Sequence, residues 1–173
     1  IGVDGREDYE FLRDFVGAVA EAGCKVLLVH ARIAVLEGLN PKQNREVPPL
    51  RYETVYRLKE DFPQLTILIN GGVTTLDQAA EQLHHVDGVM IGRAAMGNPF
   101  IFKQINHYLE TGEMLAKPTT REKIEMARLH ARLMQEQFGE ERGAKMMRRY
   151  LGWYVKGFRG AAELRPLLFQ VET

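Results

Sequence analysis

Apolar positions in the first two thirds of the chain follow two alternating patterns. Some segments place apolar side chains every three or four residues, which predicts helices with one apolar face. Other segments are short continuous apolar runs, which are typical of parallel strands covered on both faces. The predicted helices cover residues 8–22, residues 52–61, a segment capped by Thr74 or Thr75, and a segment from about Asn98. The predicted strands cover residues 25–31, 66–69 and 87–91.

This alternation predicts an α/β fold built from right-handed parallel βα units. Such units form either a closed barrel or an open doubly wound sheet. A (β/α)8 TIM barrel needs eight strands, and the sequence predicts only three. We therefore expect part of a barrel, its last three βα units, whose sheet does not close with this chain alone. The first residue, Ile1 rather than Met, also leads us to expect a missing upstream portion.

The pattern changes to helices alone after Pro118. The predicted helices run from Thr119 or Thr120 to about Phe138, over residues 141–155, and from residue 161. Residues 113–119 have the composition of a linker. We therefore predict two domains: residues 1–115 belong to the barrel, and residues 116–173 form a small all-α domain.

Composition bounds the class of protein. With 173 residues, 45% of them hydrophobic and 27% charged, the chain resembles one soluble globular domain, or a smaller one with an appendage. The sequence contains neither a run of about 18 apolar residues nor a signal-peptide pattern, so we expect a cytoplasmic protein. The single cysteine, Cys24, excludes an internal disulfide. His and acidic residues lack metal-ligand spacing, so no metal site is predicted.

Charge is distributed unevenly, although the formal net charge is zero. Residues 121–165 contain 11 Lys and Arg against 6 Asp and Glu, whereas residues 1–120 contain 12 against 16. A basic segment of this kind attracts phosphate backbones, but a solvated helix surface has the same composition. Charge alone leaves both interpretations open.

Polar residues follow each predicted strand. The first strand ends in His30 and Arg32, the second in Asn70-Gly71-Gly72, and the third in Gly92-Arg93. Ligands bind at this edge in barrels and in open α/β sheets. Glycine N–H groups, a helix start and a guanidinium together predict a phosphate pocket, and His30 could hydrogen-bond a ring carbonyl or a phosphate. Each feature alone is also explained by a tight turn or by a histidine with ordinary partners.

The segment between the first strand and the second helix is long and polar, and loops of this length are usually functional. Its part GLNPKQNREVPPL, residues 38–50, resembles the tRNA-dihydrouridine synthase family, closest to the A-type branch. The other matching segments are His30-Ala31-Arg32, Ile69-Asn70-Gly71-Gly72 and residues 87–93. The resemblance covers nearly all of residues 1–112, and the helical tail is more weakly similar.

The resemblance implies an FMN-dependent flavoenzyme on a (β/α)8 barrel with a C-terminal helical domain that binds tRNA. Such enzymes reduce uridine to 5,6-dihydrouridine, with NADPH as electron donor. The residues that we predict to contact the flavin are His30, Arg32, Asn70, Gly71, Gly72, Gly92 and Arg93. The residues that we predict to contact tRNA are Lys42, Arg45, Lys145, Arg148 and Arg149.

Two departures from the family pattern bear on activity. Ile33 stands where A-type members usually have Lys, and the family's Asn-x-Gly-Cys-Pro motif and flavin-contacting lysine, which lie on earlier strands, do not occur. We therefore name no catalytic residue and expect this chain to be inactive by itself. It resembles strands six to eight plus the helical tail of a longer parent protein, which we expect to be a monomer. Two alternatives stay open: a non-catalytic RNA-binding module, and another FMN- or phosphate-binding TIM-barrel oxidoreductase.

Overall fold

The computed structural model describes residues 1–172. In that part of the chain the strands are β1 (Val26–His30), β2 (Thr66–Asn70) and β3 (Gly88–Met90). The helices are α1 (Tyr9–Glu21), α2 (Tyr52–Asp61), α3 (Leu76–Leu83), α4 (Arg93–Gly97), α5 (Phe100–Thr111), α6 (Thr120–Phe138), α7 (Glu140–Tyr154) and α8 (Ala161–Leu168). None of these helices is both long and apolar enough to cross a bilayer.

The predicted helices and strands are confirmed, with ends that agree to within two residues. The structure adds α4, a five-residue helix between β3 and α5. The helix predicted from about Asn98 is α5, whose 12 residues begin at Phe100, and α4 is a separate short helix directly after Gly92. The reason is Pro99, which fits a helix start better than a helix interior.

The three strands form one parallel sheet in the order β1-β2-β3. Val29, Ile67 and Ile69 are buried on the face that packs against the helices. The side chains of Val26 and Leu28 in β1 lie on the other face, where they are 51% and 57% exposed. The expectation that β1 is covered on both faces is therefore wrong for this chain, because a continuous apolar run does not reveal which element covers each face.

Local capping explains several helix starts. The Asp8 side chain accepts a hydrogen bond from the backbone N–H of Phe11 and caps α1. Thr75 caps α3, and Thr119 caps α6, each through a reciprocal capping box with the third helical residue, Gln78 or Glu122. Of the alternatives left open by the sequence, the structure therefore selects Thr75 and Thr119.

The chain divides into two compact units, Ile1–Gly92 and Arg93–Thr173. We call them the sheet unit and the helical unit. The predicted linker, residues 113–119, lacks helix and strand. The compact division nevertheless falls earlier than the predicted boundary at residue 115, because α4 packs against α7 inside the helical unit. The domain boundary at residue 115 stays a prediction.

An ion pair joins α2 to the start of β3. Lys59 Nζ lies 2.8 Å from Asp87 Oδ2, and the backbone N–H of Ile67 donates to the same oxygen. The lysine also donates to the carbonyl of Leu65, and Asp87 is only partly exposed. The hydrogen bonds from Lys59 and Ile67 lower the pKa of Asp87 below its ordinary value of 3.8.

We expect Asp87→Asn to reduce stability at neutral pH by about 0.5 kcal/mol, because the pair is partly solvated. Since the folded-state pKa is lowered, the contribution is present above the ordinary value and is lost as the pH falls through the folded value. Urea unfolding at neutral pH and at about pH 3 measures this difference. If the unfolding free energies of the unmodified chain and of Asp87→Asn differed by the same amount at both pH values, the stabilising role of the Asp87 charge would be contradicted.

Candidate functional site

The ends of the three strands lie in register at one edge of the sheet unit. His30 pairs with Asn70, and Asn70 pairs with Met90, in the parallel register. The Asn70 amide spans the row: its Oδ1 lies 2.7 Å from His30 Nδ1, and its Nδ2 donates to the Met90 carbonyl at 2.9 Å. The predicted convergence of polar groups at the carboxyl ends is therefore confirmed for His30 and Asn70.

These two bonds fix the tautomer of His30. The Asn70 amide nitrogen is occupied by a carbonyl, so the oxygen faces His30 and the histidine Nδ1 carries the proton. The neutral ring then offers Nε2 as an acceptor rather than as the donor that a ligand carbonyl requires. That atom is buried and has no hydrogen-bond partner among the described residues. A buried polar atom without a partner is unusual and suits a ligand that donates to it.

Gly71 and Gly72 turn the chain sharply after β2, with φ of +122° and +74°. A Cβ at Gly71 would lie 2.9 Å from Leu50 Cδ2, and one at Gly72 would lie 2.5 Å from Leu50 Cδ1. The Tyr52 hydroxyl donates to the Gly71 carbonyl at 2.7 Å. Both glycines are therefore required by backbone conformation and by close packing, a reason separate from the predicted approach of an anion.

Arg32 faces the loop that follows it. Its Nη1 donates to the carbonyls of Pro48 and Glu46, while its Nε is buried without a partner in the described chain. Burial raises the pKa of the nearby Tyr52 phenol, and the Arg32 charge partly opposes this effect. The guanidinium therefore holds the loop, and its predicted flavin contact stays a prediction.

Gly92 and Arg93 lie at the division between the two units. Gly92 follows β3, and a Cβ there would meet no atom within 4 Å, so packing does not require this glycine. Arg93 is the first residue of α4 in the helical unit, and it is exposed. Their predicted phosphate contacts stay predictions.

Residues 32–50 form a closed loop whose ends meet, since the Arg51 N–H donates to the Ala31 carbonyl at 2.8 Å. The Asn44 side chain lies across the loop interior: its Oδ1 accepts from the Val35 N–H at 2.7 Å, and its Nδ2 donates to the Val35 carbonyl at 2.8 Å. One amide thus pairs with both backbone polar groups of Val35, next to the isolated bridge between Ala34 and Val3.

The two predicted tRNA-contacting residues of this loop are exposed. Arg45 ends a short 3-10 helix, Gln43–Arg45, and Lys42 directly precedes it. The Asn40 side chain accepts from the backbone N–H groups of Lys42 and Gln43. The loop therefore has a defined conformation that presents both cationic residues at the surface, and their contact with RNA stays a prediction.

We expect Asn44→Ala to loosen this loop, because it leaves both polar groups of Val35 without the side-chain partner. The loss is about 1 to 2 kcal/mol of local stability. Hydrogen exchange of residues 33–47 measures it. Gln43→Ala is the milder control, since its amide makes a single exposed bond, with the Asn40 N–H. Equal exchange rates in the two variants would contradict the role of Asn44.

The helical unit carries a basic groove along α7 and α8 with a volume of about 680 Å³. It is lined by Lys145, Arg148, Arg149, Gly152, Trp153, Arg165 and Phe169. The three cationic residues predicted on α7 therefore line one groove. Two of them have neighbours that hold them in place: Lys145 pairs with Glu141, and Arg148 Nε donates to the Val171 carbonyl at 2.7 Å.

Several residues of these two regions were not predicted from the sequence. Leu50 and Tyr52 contact the glycine turn from 20 residues away, and no local pattern indicates that contact. Arg149 and Trp153 are four residues apart on α7, as are Arg165 and Phe169 at α8. That spacing places each pair on one helix face and would have identified the groove.

Comparison with known proteins settles the family. The dihydrouridine synthase (Dus) family model matches residues 1–173. The chain belongs to the dihydrouridine synthase family. A tRNA-dihydrouridine(20/20a) synthase from Pseudomonas aeruginosa is 48% identical over 170 residues, which cover 97% of this chain and 49% of the relative. The protein of that name from Pseudomonas putida is 43% identical over 170 residues, which again cover 97% of this chain and 49% of the relative.

A third relative of the same name, from Synechocystis, is 58% identical over 106 residues, covering 61% of this chain and 32% of the relative. The resemblance to the A-type branch of the dihydrouridine synthases is confirmed. The chain spans about half the length of the longest matches among these curated relatives.

The dihydrouridine synthase family is flavin-dependent, and the residues at the strand ends fit such a cofactor. The buried Nε2 of His30 is an acceptor without a partner in the described part of the chain, and flavins carry both N–H and hydroxyl donors. Beside it, the turn at Gly71 and Gly72 has a backbone conformation that favours glycine. The site therefore offers, in the described part of the chain, one unsatisfied acceptor to which an N–H or hydroxyl group of an organic cofactor can donate.

Proposed function

We propose that this chain is the flavin-phosphate-binding and tRNA-binding part of a tRNA-dihydrouridine synthase, an FMN-dependent enzyme that reduces uridine in tRNA with NADPH. The observation that carries the proposal is the buried Nε2 of His30, which has no hydrogen-bond partner among residues 1–172 and lies at the aligned strand ends of a chain of this family. We place the complete protein in the cytoplasm as a monomer.

The exposed face of the sheet supports the barrel. Val26 and Leu28 of β1 and Met90 of β3 are exposed apolar residues on a parallel sheet. In a (β/α)8 barrel the inward side chains fill the interior, so further strands would cover them. We therefore propose that residues 1–115 form the last three units of such a barrel and that residues 116–173 form its tRNA-binding domain.

Five of the seven predicted flavin contacts have a stated role in this proposal. When bound, FMN supplies the hydride for reduction of the uracil ring. His30 accepts a hydrogen bond from the cofactor, and the Gly71-Gly72 turn, Gly92 and Arg93 hold its phosphate through N–H groups and a guanidinium. This sequence contains no counterpart of the family's proton-donating cysteine, so turnover requires groups supplied by the rest of the parent protein.

FMN titration of the 173-residue chain, followed by quenching of flavin fluorescence, tests the cofactor part. His30→Leu is expected to weaken FMN binding about ten-fold, because it removes one hydrogen-bond acceptor. His84→Leu is the matched control: it makes the same exchange at an exposed position at the end of α3. Equal affinities of the two variants for FMN would contradict the proposed site. If the unmodified chain does not bind FMN, the alternative of a non-catalytic RNA-binding module is favoured.

A chimera tests the activity. This chain replaces the 170 matching residues of the Pseudomonas aeruginosa relative, and dihydrouridine in tRNA is measured by mass spectrometry. We expect the chimera to form dihydrouridine and to bind tRNA with a steep salt dependence, as phosphate contacts require. A folded chimera that retains FMN yet forms no dihydrouridine would refute the proposed reaction.

A further inference from the structure

Two aromatic rings in the basic groove are exposed yet held in place. Trp153 is 41% exposed and Phe169 is 47% exposed. A Cβ at Gly97 would lie 3.0 Å from Trp153 Cβ, and a Cβ at Gly152 would lie 3.0 Å from Phe169 Cζ. Each ring is therefore packed against a glycine on one side while much of its surface faces solvent. Exposed rings that are fixed in this way lose little entropy when a flat ligand stacks on them.

The groove around these rings is cationic. Lys145, Arg148, Arg149 and Arg165 line it, and no acidic side chain of residues 1–172 is among its lining residues. Arg149 lies over the Tyr150 ring at 4.7 Å and donates to its hydroxyl, which fixes the position of one guanidinium. Arg148 is held by the Val171 carbonyl. The side chains of Arg148 and Arg149 thus present their positive charge from defined positions.

Cationic side chains and exposed rings together point to one kind of ligand. A double helix requires contacts with phosphates and sugars but keeps its bases stacked on one another. Unpaired nucleotides instead combine phosphate contacts with stacking of the base on an aromatic side chain. The volume of about 680 Å³ is sufficient for a nucleotide.

We propose that the basic groove binds an unpaired nucleotide of RNA, with its base stacked on Trp153 and its phosphates beside Arg149 and Arg165. This inference rests on the proposed binding of tRNA and adds a location and a structural preference. The groove thereby selects an unstacked, single-stranded stretch of the RNA over a duplex stem.

Trp153 is the single tryptophan of the sequence, so its fluorescence reports directly on the proposed contact. The 173-residue chain is titrated with an eight-nucleotide oligo(U), with an abasic oligomer of equal phosphate number, and with a short RNA duplex. We expect quenching by oligo(U) alone, because only that probe offers an unpaired base. Binding of all three labelled probes is measured in parallel by fluorescence anisotropy.

Two variants separate stacking from charge. Trp153→Leu is expected to weaken oligo(U) binding about ten-fold and to leave the abasic oligomer unaffected. Arg149→Gln is expected to weaken both oligomers by the same factor, since it removes one charge. Trp153→Phe keeps an aromatic face and should bind oligo(U) within about two-fold of the unmodified chain.

The outcomes distinguish this inference from the proposed function. If tRNA binds but oligo(U) and the abasic oligomer quench Trp153 equally, or the duplex quenches as strongly as oligo(U), the stacking site is refuted and tRNA binding stands. If neither tRNA nor oligo(U) binds, both proposals fail. The fluorescence titration uses the unmodified chain, so its result does not depend on whether any variant folds.

Discussion

Gly143→Ala is expected to destabilise the helical unit by about 2 to 3 kcal/mol, because the added methyl group would overpack the contact between α6 and α7. A Cβ at this position would lie 2.7 Å from the Met134 carbonyl oxygen and 2.8 Å from the Cα and N of Gln135. These are backbone atoms of the last turns of α6, and they cannot rotate away as a side chain can. The two helices must therefore separate.

The sign of the stability change distinguishes a tight contact between α6 and α7 from an ordinary exposed helix position. In an exposed helix interior, Gly→Ala stabilises by about 1 kcal/mol, because alanine has the higher helix propensity. Gly152→Ala on the same helix is the control: its methyl group would meet the ring of Phe169, a side chain, rather than backbone atoms. Urea unfolding followed by Trp153 fluorescence compares the two. Stabilisation by both substitutions would show that α6 and α7 are not in backbone contact.

Gly72→Ala is expected to destabilise the sheet unit by about 2 to 4 kcal/mol, through a strained left-handed conformation and an overpacked contact. The φ of Gly72 is +74°, and a Cβ there would lie 2.5 Å from Leu50 Cδ1 and 2.9 Å from the Tyr52 hydroxyl. Both neighbours anchor the end of the closed loop to β2. The substitution therefore disturbs the loop as well as the turn.

Gly5 is the matched control for this prediction. Its φ is +73°, and a Cβ there would meet no atom within 4 Å, so Gly5→Ala retains the backbone strain without the contact. We expect it to cost only about 1 to 2 kcal/mol. Hydrogen exchange in β2 and α2 measures the local difference between the variants. If Gly5→Ala costs as much as Gly72→Ala, the packing of Leu50 on the turn contributes nothing.

Consequences for function follow from where these glycines lie. Gly143 supports α7, which carries three of the four charged residues of the basic groove. Gly72 supports the turn beside His30 and the loop that presents Lys42 and Arg45. Loss of tRNA binding in Gly143→Ala, with FMN binding retained, would agree with separate roles for the two units.

The helices and strands and their order could be predicted from the sequence alone. α2 has the predicted bounds, Tyr52–Asp61, because Pro63 closely follows this segment and a helix cannot continue through it. The strands were identified equally well, since short apolar runs between helical segments have few other interpretations. The family could also be identified from a few motifs, and the match over the whole chain confirms it.

The contacts between residues that are distant in sequence are visible only in the folded chain. The sequence placed His30 and Asn70 at strand ends, but the register made one amide the partner of both His30 and Met90 and left Nε2 without one. Likewise, the exposed side of β1 and the packing of Leu50 on the glycine turn depend on the path of the chain. Helices and strands follow from neighbouring residues, whereas these contacts join residues that are far apart in sequence, and no local pattern encodes their geometry.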